Sequence, residues 1–187
     1  MNVKRVQNRK GIGNVITTLI ILIASVVLGA GVIFFGGSMF QTNTQSESIK
    51  VSNVHAWVNP TNSSSVTAFA VQNTGSKAIA INSISMRGLP VPTANWYSCD
   101  PADKNKCDNS LNINTDLTAK YTPTSVALAN GTETFTTGGV SLTQGQATIV
   151  YVVGAGNLAP IDAGNTYSLQ IQSGQAVAVQ QVQVISK

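Results

Sequence analysis

The stretch IGNVITTLIILIASVVLGAGVIFFGGSMF, residues 12–40, decides the architecture of this chain. It contains no charged side chain, and it is longer than the roughly 20 apolar residues that span the hydrocarbon of a bilayer. As a continuous helix it would extend about 44 Å, at a rise of about 1.5 Å per residue. The stretch therefore predicts a transmembrane helix.

The formal net charge of +4 is concentrated before this stretch. Four basic residues, Lys4, Arg5, Arg9 and Lys10, precede it, and the seven other Lys and Arg residues are matched by seven acids. Basic residues at one end of a transmembrane helix hold that end in the cytoplasm, which places the rest of the chain outside. Because the body of the chain is neutral, it lacks the basic surface of a nucleic-acid-binding protein.

Three kinds of N-terminal segment are considered as explanations of this pattern of basic and apolar residues. A secretory signal peptide has an apolar core of only about 7–15 residues, so the run here is too long for one. A permanent signal anchor fits the length and the flanking charges. A prepilin leader fits as well, and it differs from an anchor by being cut on the cytoplasmic side, so that the whole apolar helix stays in the mature protein.

The residues just before the apolar run favour the leader. Lys10 and Gly11, a basic residue and a glycine, stand directly before Ile12. This junction resembles the processing site of archaeal prepilins and archaellins, which a dedicated membrane peptidase cuts after the glycine. The small-residue stretch at 27–32 also resembles archaellin N-termini. A bacterial type IV pilin usually has a Glu five residues into the mature chain, where this sequence has Ile16, so the resemblance is to the archaeal family.

The resemblance implies a leader at residues 1–11, a mature chain that begins at Ile12, and a structural subunit of an archaeal type IV pilus-like extracellular filament for adhesion and surface attachment. It implies that the subunit inserts in the cytoplasmic membrane, meets a prepilin peptidase and an assembly machinery, and forms a helical homopolymer at the cell surface. The residues expected in the filament core are Ile20, Leu22, Val27, Leu28, Gly29, Gly31 and Phe34.

Alternatives stay open at this point. Gly13 is a second candidate cleavage glycine, but Ile12 precedes it in place of a basic residue. The N-terminus of this chain also resembles that of archaellum subunits, which serve motility. A single-copy, membrane-anchored surface binding protein would keep residues 1–11.

The body of the chain predicts an all-β domain. Residues 41–48 (QTNTQSES) are interpreted as a linker, and residues 49–187 contain short alternating stretches separated by Gly, Pro and Asn. The fold class expected is α+β overall, with a long apolar helix followed by an immunoglobulin-like sandwich of two sheets. Strands are predicted at Ile49–Val58, Ser65–Gln72, Lys77–Met86, Ser125–Leu128, Thr132–Thr136, Gln146–Val153, Thr166–Gln172 and Ala176–Ile185, and residues 87–124 are predicted as an irregular surface loop.

Three features of the body bear on modification and contact. Cys99 and Cys107 could form a disulfide in an oxidising compartment or remain free thiols. Asn62 and Asn130 match the N-glycosylation pattern, a pattern that chance also produces often in a chain rich in Asn, Ser and Thr. The aromatic residues Trp57, Trp96 and Tyr97 favour the core, with a contact surface for sugars or a neighbouring subunit as the alternative.

The sequence predicts neither an enzyme nor a cofactor or metal site. His55, the single histidine, lies in a predicted strand and is interpreted as a half-exposed strand residue. No nucleophile elbow, phosphate-binding Gly-Lys motif or dinucleotide fingerprint occurs. Lys104 and Lys106 lie among the acids Asp100, Asp103 and Asp108, which favours a solvated loop over calcium binding.

Overall fold

The structure, a computed structural model, describes residues 7–43, 46–61, 63–100, 107, 113–114, 123–128 and 131–187, and within the helix it describes the side chains from Gly13 to Met39. The chain divides into two compact units, Met1–Thr44 and Gln45–Lys187. A helix occupies the first unit, and all strands of the described residues lie in the second. An apolar N-terminal helix followed by a β-domain is therefore confirmed.

The helix, α1, runs from Gln7 to Asn43. It begins five residues before the predicted start at Ile12 and continues three residues past Phe40. It also passes through Gly36 and Gly37, two residues with a low helix propensity. Each added residue of a formed helix gains a hydrogen bond, whereas a glycine costs only about 1 kcal/mol relative to alanine, so an established helix continues through such positions.

Hydroxyl side chains of α1 are satisfied within the helix itself. Thr17 donates to the carbonyl of Gly13 (2.8 Å), and Thr18 donates to that of Asn14 (2.5 Å). Ser25 donates to the carbonyl oxygen of residue 22 at 2.9 Å. A hydroxyl that is bonded to its own helix costs little to transfer into an apolar environment, so these residues do not interrupt the apolar character of the surface.

The strands of the described residues are β1 (Ile49–Val58), β2 (Ser65–Asn73), β3 (Ile79–Ala80), β4 (Ser83–Met86), β5 (Leu89–Pro90), β6 (Trp96–Cys99), β7 (Ser125–Leu128), β8 (Gly131–Thr137), β9 (Ser141–Leu142), β10 (Ala147–Val153), β11 (Thr166–Ser173) and β12 (Ala176–Ser186). Short 3₁₀ helices occupy Thr93–Asn95, Ala155–Asn157 and Pro160–Asp162. The predicted strand Lys77–Met86 is divided into β3 and β4, because β3 pairs with β9 whereas β4 pairs with β11.

Ten of these strands form one mixed sheet in the order β5-β4-β11-β12-β1-β2-β10-β6-β8-β7, and β3 and β9 form a separate two-stranded sheet. All neighbours in the large sheet are antiparallel except β1 and β12, which pair in parallel from Ala56↔Val184 to Val58↔Ser186. The strands expected in the two sheets of a sandwich are thus hydrogen-bonded into one continuous sheet, because the first strand pairs with the last one.

Residues from both halves of the large sheet share one buried core. Ile84 of β4 and Leu169 of β11 belong to the same apolar cluster as Phe69 of β2 and Val150 of β10. Both halves can contribute to one core only if the sheet folds back over it. The inward faces of β4-β11-β12 and of β1-β2-β10 therefore pack on each other across that core.

A second core lies on the other face of the central strands. Tyr151 makes edge-to-face contacts with Trp57 and Phe135, at centroid distances of 6.5 and 5.2 Å. The β7–β8 hairpin, Cys107 and Ile113 complete this cluster. As a result β2 and β10 are buried on both faces, unlike the half-buried strands that alternation predicted.

The prediction that residues 87–124 form an irregular loop is wrong at β6. Trp96–Cys99 pair with β10 on one side and with β8 on the other, and all four residues are buried. The long segment after β6 is fastened at Asn114, whose backbone N–H and carbonyl both bond to the Tyr151 hydroxyl at 3.0 and 3.1 Å. Burial of that hydroxyl raises the pKa of Tyr151 to about 12.

Candidate functional site: the apolar helix and the β-domain surface

The exposed apolar surface of α1 is the main candidate site. Residues Gly13–Met39 are long and apolar enough to cross a membrane, with a mean hydropathy of 2.7 over their most apolar 18 residues, none of which is buried within the chain. The exposed fractions of the predicted core residues are 59% for Ile20, 64% for Leu22 and Val27, 69% for Leu28 and 84% for Phe34. Since apolar residues at 19–23 are consecutive, they surround the helix, and a helix that is apolar all round requires an apolar environment.

The glycines of α1 have no role in packing within the chain. A Cβ atom built on Gly29 or Gly31 meets no heavy atom within 4 Å. Small residues in membrane helices allow a second helix to approach closely. The structure thus leaves these two positions open to a partner outside the described chain.

The predicted cleavage junction lies in the first turns of α1. Lys10, Gly11 and Ile12 are helical, and the structure describes only their backbone. Lys4 and Arg5 lie outside the described residues. Cleavage after Gly11 stays a prediction.

The two cysteines of the β-domain are joined by a disulfide. Cys99 and Cys107 are both buried, and their Cα atoms are 6.0 Å apart. The Thr148 hydroxyl donates to the Cys99 carbonyl at 2.6 Å, which anchors the same residue to β10. Both cysteines belong to the second core.

Both predicted glycosylation sites fall outside the described residues. Asn62 lies in the β1–β2 connection, where its neighbours Thr61 and Ser63 are exposed. Asn130 precedes β8, whose first residue, Gly131, is exposed. Glycosylation at these positions stays a prediction.

The segment predicted as the end of a linker is bound to the β-domain. We call Ser46–Ser48 the entry segment. Its Ser48 carbonyl accepts from the N–H groups of Thr74 (3.0 Å) and Gly75 (3.2 Å), and its Ser46 carbonyl accepts from the N–H of residue 76 at 3.1 Å. A Cβ on Gly75 would collide with the Ser46 carbonyl oxygen and would lie 2.7 Å from the Ser48 nitrogen. A glycine is therefore required for this close approach.

Glu47 fastens the entry segment to a second turn. Its carboxylate accepts from the Gln175 N–H at 2.9 Å and forms an ion pair with Lys77 at 3.2 Å. The Gln175 N–H, and after it the Lys77 ammonium, hold the pKa of the Glu47 carboxyl below its usual value. Together with Ser46 these residues line a polar cleft of about 310 Å³. Sequence reasoning missed this cleft, because the partners of Glu47 are 30 and 128 residues away along the chain.

A second polar cluster is centred on Asp162. Its carboxylate accepts from the Tyr167 hydroxyl (2.6 Å) and the Ala159 N–H (2.9 Å), and it pairs with Arg87 at 3.2 Å. The Tyr167 hydroxyl, followed by the Ala159 N–H, holds the pKa of the Asp162 carboxyl below its usual value, and the same bond raises the pKa of Tyr167. The Arg87 guanidinium also lies over the Tyr167 ring, 4.6 Å from its centroid. The cluster joins β4 to β11.

The structure assembles no metal-binding group within the described residues. It holds no set of three or more His, Cys, Asp or Glu side chains there that could bind a metal ion. His55 is exposed on β1, and Asp103 and Asp108 lie outside the described residues. The alternative of an aromatic contact surface is wrong for Trp57, Trp96 and Tyr97, because all three are buried in the cores.

Comparisons with known proteins give no family for this chain. No family model matches it, and no curated protein matches it. Among solved structures, the ASH/PapD-like domain 7 of human CEP192 is 12% identical with a TM-score of 0.32, over 77% of this chain and 86% of that one. A β-glucosidase from Listeria innocua in complex with glucose is 14% identical with a TM-score of 0.28, over 75% of this chain and 16% of that one. Similarities this low establish neither a family nor an activity.

Proposed function

We propose that this chain is the precursor of a structural subunit of an archaeal type IV pilus-like filament, with a β-domain displayed on the outside for adhesion and surface attachment. One observation carries the proposal. The helix over Gly13–Met39 is apolar on all sides, and none of its described side chains is buried within the chain. Such a surface must be covered by lipid or by other copies of the helix.

The same helix suits both environments. In a bilayer the apolar side chains contact lipid, and the self-bonded hydroxyls of Thr17 and Ser25 need no water. In a filament core, lipid contacts are replaced by helix contacts, and the open positions at Gly29 and Gly31 allow close approach. Cleavage after Gly11 would release the basic leader and leave this helix intact.

The β-domain is the part that such a filament would present to its surroundings. We propose that it is an immunoglobulin-like sandwich. The order β1-β2-β10-β6 on one side of the core, with β12-β11-β4 on the other, supports this, since immunoglobulin domains place strands A, B, E and D opposite G, F and C. The β7–β8 hairpin is an addition. Many copies of one binding surface raise avidity by roughly 10²–10⁴ without stronger individual contacts, so adhesion needs no catalytic centre.

The test is the N-terminal residue of the protein in sheared cell-surface material, read by mass spectrometry of its terminal peptide. A processed filament subunit begins at Ile12. A chain that keeps Met1 and is found only in membranes would overturn the proposal in favour of the anchored binding protein.

A pair of variants tests the leader itself. Gly11→Leu should leave unprocessed protein in the membrane and no filaments. Gly13→Leu is the matched control, since it changes the second glycine of the same junction, and it should be processed normally. Normal filaments from Gly11→Leu would contradict the leader assignment.

A further inference from the structure

We propose that the outward face of β4, β11 and β12 is a contact between two copies of this chain, and that it acts between filaments that lie side by side. The inference rests on the proposed filament function. We call this surface the neutral face, and its residues are Ser83, Ser85, Gln170, Gln172, Val177 and Val179.

Strand register brings these six side chains together. Gln170 lies between Ser85 and Val179 in adjacent strands, and Gln172 lies in the same way between Ser83 and Val177. Their strand neighbours Ile84, Leu169 and Ile171 point into the core, so the six point away from it. Val177 and Val179 remain 51% and 55% exposed. The two rows form a contiguous surface across three strands.

The neutral face contains no charge, and neither does the chain between Asp162 and Lys187. Two ion pairs lie at the ends of β11. Arg87 and Asp162 meet at its start, where the Arg87 N–H also bonds to β11, and Glu47 and Lys77 meet at the turn that follows it. In both pairs the charges are 3.2 Å apart and offset each other. A copy of the same face can therefore approach without like-charge repulsion.

The chemistry of the neutral face suits contact with the same face of a second copy better than contact with a charged partner or a sugar. A Gln amide both donates and accepts hydrogen bonds, as does a Ser hydroxyl, so two such faces can satisfy each other. The exposed valines add apolar area, and interface centres are depleted of charged residues. An acidic or basic partner would find no opposite charge there, and a sugar would find no aromatic ring among the six residues.

The size of the face explains why the contact needs many copies. The face covers three strands spaced by about 4.8 Å over the four residues of β4, at about 3.3 Å each, and so presents roughly 200 Å². A stable interface buries about 800 Å² on each partner. A single pair of faces is thus weak, whereas a filament repeats the face along its length and gains avidity. Adjacent filaments should therefore associate in bundles.

The first experiment compares filaments of full-length variants by electron microscopy. Gln170→Lys/Val179→Lys places two positive charges on the neutral face. Thr132→Lys/Thr134→Lys places two on exposed positions of β8 and is the matched control. We expect bundled filaments from the wild type and the control, and a several-fold smaller bundled fraction from the neutral-face variant. Bundling of that variant should return in 1 M salt, where the Debye length falls to about 3 Å.

The second experiment needs no filaments. Val179→Cys and Thr134→Cys, each in the full-length chain in membranes, are treated with a bis-maleimide whose arm bridges two packed sheets, about 10 Å apart. Val179→Cys should give several-fold more cross-linked dimer than Thr134→Cys.

The outcomes separate the two proposals. Dimers from Val179→Cys in cells that carry the assembly machinery but make no filaments of this protein would leave the contact standing and overturn the filament function. Unchanged bundling of the lysine variant, no excess of dimer over the control, or cross-linking of Val179→Cys to a different protein would overturn the contact.

Discussion

Thr67 and Thr148 are two fully buried threonines in the central strands, and their hydroxyls differ in bonding. The Thr148 hydroxyl donates to Cys99, whereas that of Thr67 has no hydrogen-bond partner among the residues that the structure describes. An unpaired buried hydroxyl is destabilising, and a paired one contributes about 1 kcal/mol.

The same substitution should therefore have opposite effects at these two positions. Thr67→Val is expected to raise the free energy of unfolding by about 1 kcal/mol, because it removes the unpaired hydroxyl and preserves the shape of the side chain. Thr148→Val is expected to lower it by about as much. Denaturant unfolding of both variants measures the difference, and equal effects would contradict the bonding described for Thr67.

Asp162 should make the stability of the β-domain depend on pH. Its pKa is lowered in the folded state, so the unfolded chain binds the proton more readily. The stabilisation is present above the ordinary aspartate pKa of about 4 and is lost as the pH falls through the lower folded value.

Asp162→Asn should therefore be less stable than the wild type at pH 7, by on the order of 1–2 kcal/mol, and its stability should decline less steeply below pH 4. Unfolding curves of the wild type and the variant between pH 7 and pH 3 test this. Parallel curves for wild type and Asp162→Asn would show that the cluster contributes nothing to acid sensitivity.

At the scale of elements, the sequence predicted correctly the strands whose first and last residues are determined by the residues next to them in the chain. β1 and β7 have the predicted bounds, since apolar alternation begins and ends there beside Gly, Pro or polar residues. β6 was missed because its four residues are all buried and show no alternation. The burial of β2 on both faces depends on β7, β8 and Cys107, which are distant in sequence. Local pattern carries no information about such partners.

The entry segment shows the same limit, and its glycine offers a test. QTNTQSES has no apolar pattern, yet its last residues are bound to the turns at Gly75 and Gln175. Gly75→Ala should destabilise the β-domain by about 1–3 kcal/mol, because the added Cβ displaces the Ser46 and Ser48 backbone. Gly139→Ala, where nothing lies within 4 Å, should be near neutral. Thermal unfolding compares the two, and similar melting temperatures would contradict the docking of the entry segment.

At the scale of the whole molecule, the chain joins a unit that requires an apolar environment to one with its own cores. The sequence indicated this division from charge and hydropathy alone. The sequence alone could not reveal the neutral face, because it brings together residues distant in the chain, such as Ser85 of β4 and Gln170 of β11, which are 85 residues apart.

A charged residue placed in the helix allows membrane insertion and filament assembly to be tested separately. Leu22→Lys places an unpaired ammonium in an apolar surface, at a cost of about 2.5–3.5 kcal/mol near a helix centre in a membrane. We expect loss of filaments, and Leu22→Ile should assemble normally. The amount of each variant in the membrane fraction is measured first, so that a failure of insertion is distinguished from a failure of assembly. Filament yield equal to wild type from Leu22→Lys would contradict a helical core.

The parallel pairing of β1 with β12 also determines when, during synthesis of the chain, the large sheet can close. Synthesis delivers Ala56–Val58 128 residues before their partners Val184–Ser186, and the Lys187 N–H bonds to the Val58 carbonyl at 3.0 Å. Contacts between distant parts of a chain form slowly, and they cannot form before both parts exist. The large sheet therefore closes only after residues 184–186 have been synthesised, and a chain truncated before Val184 should remain open and susceptible to proteases.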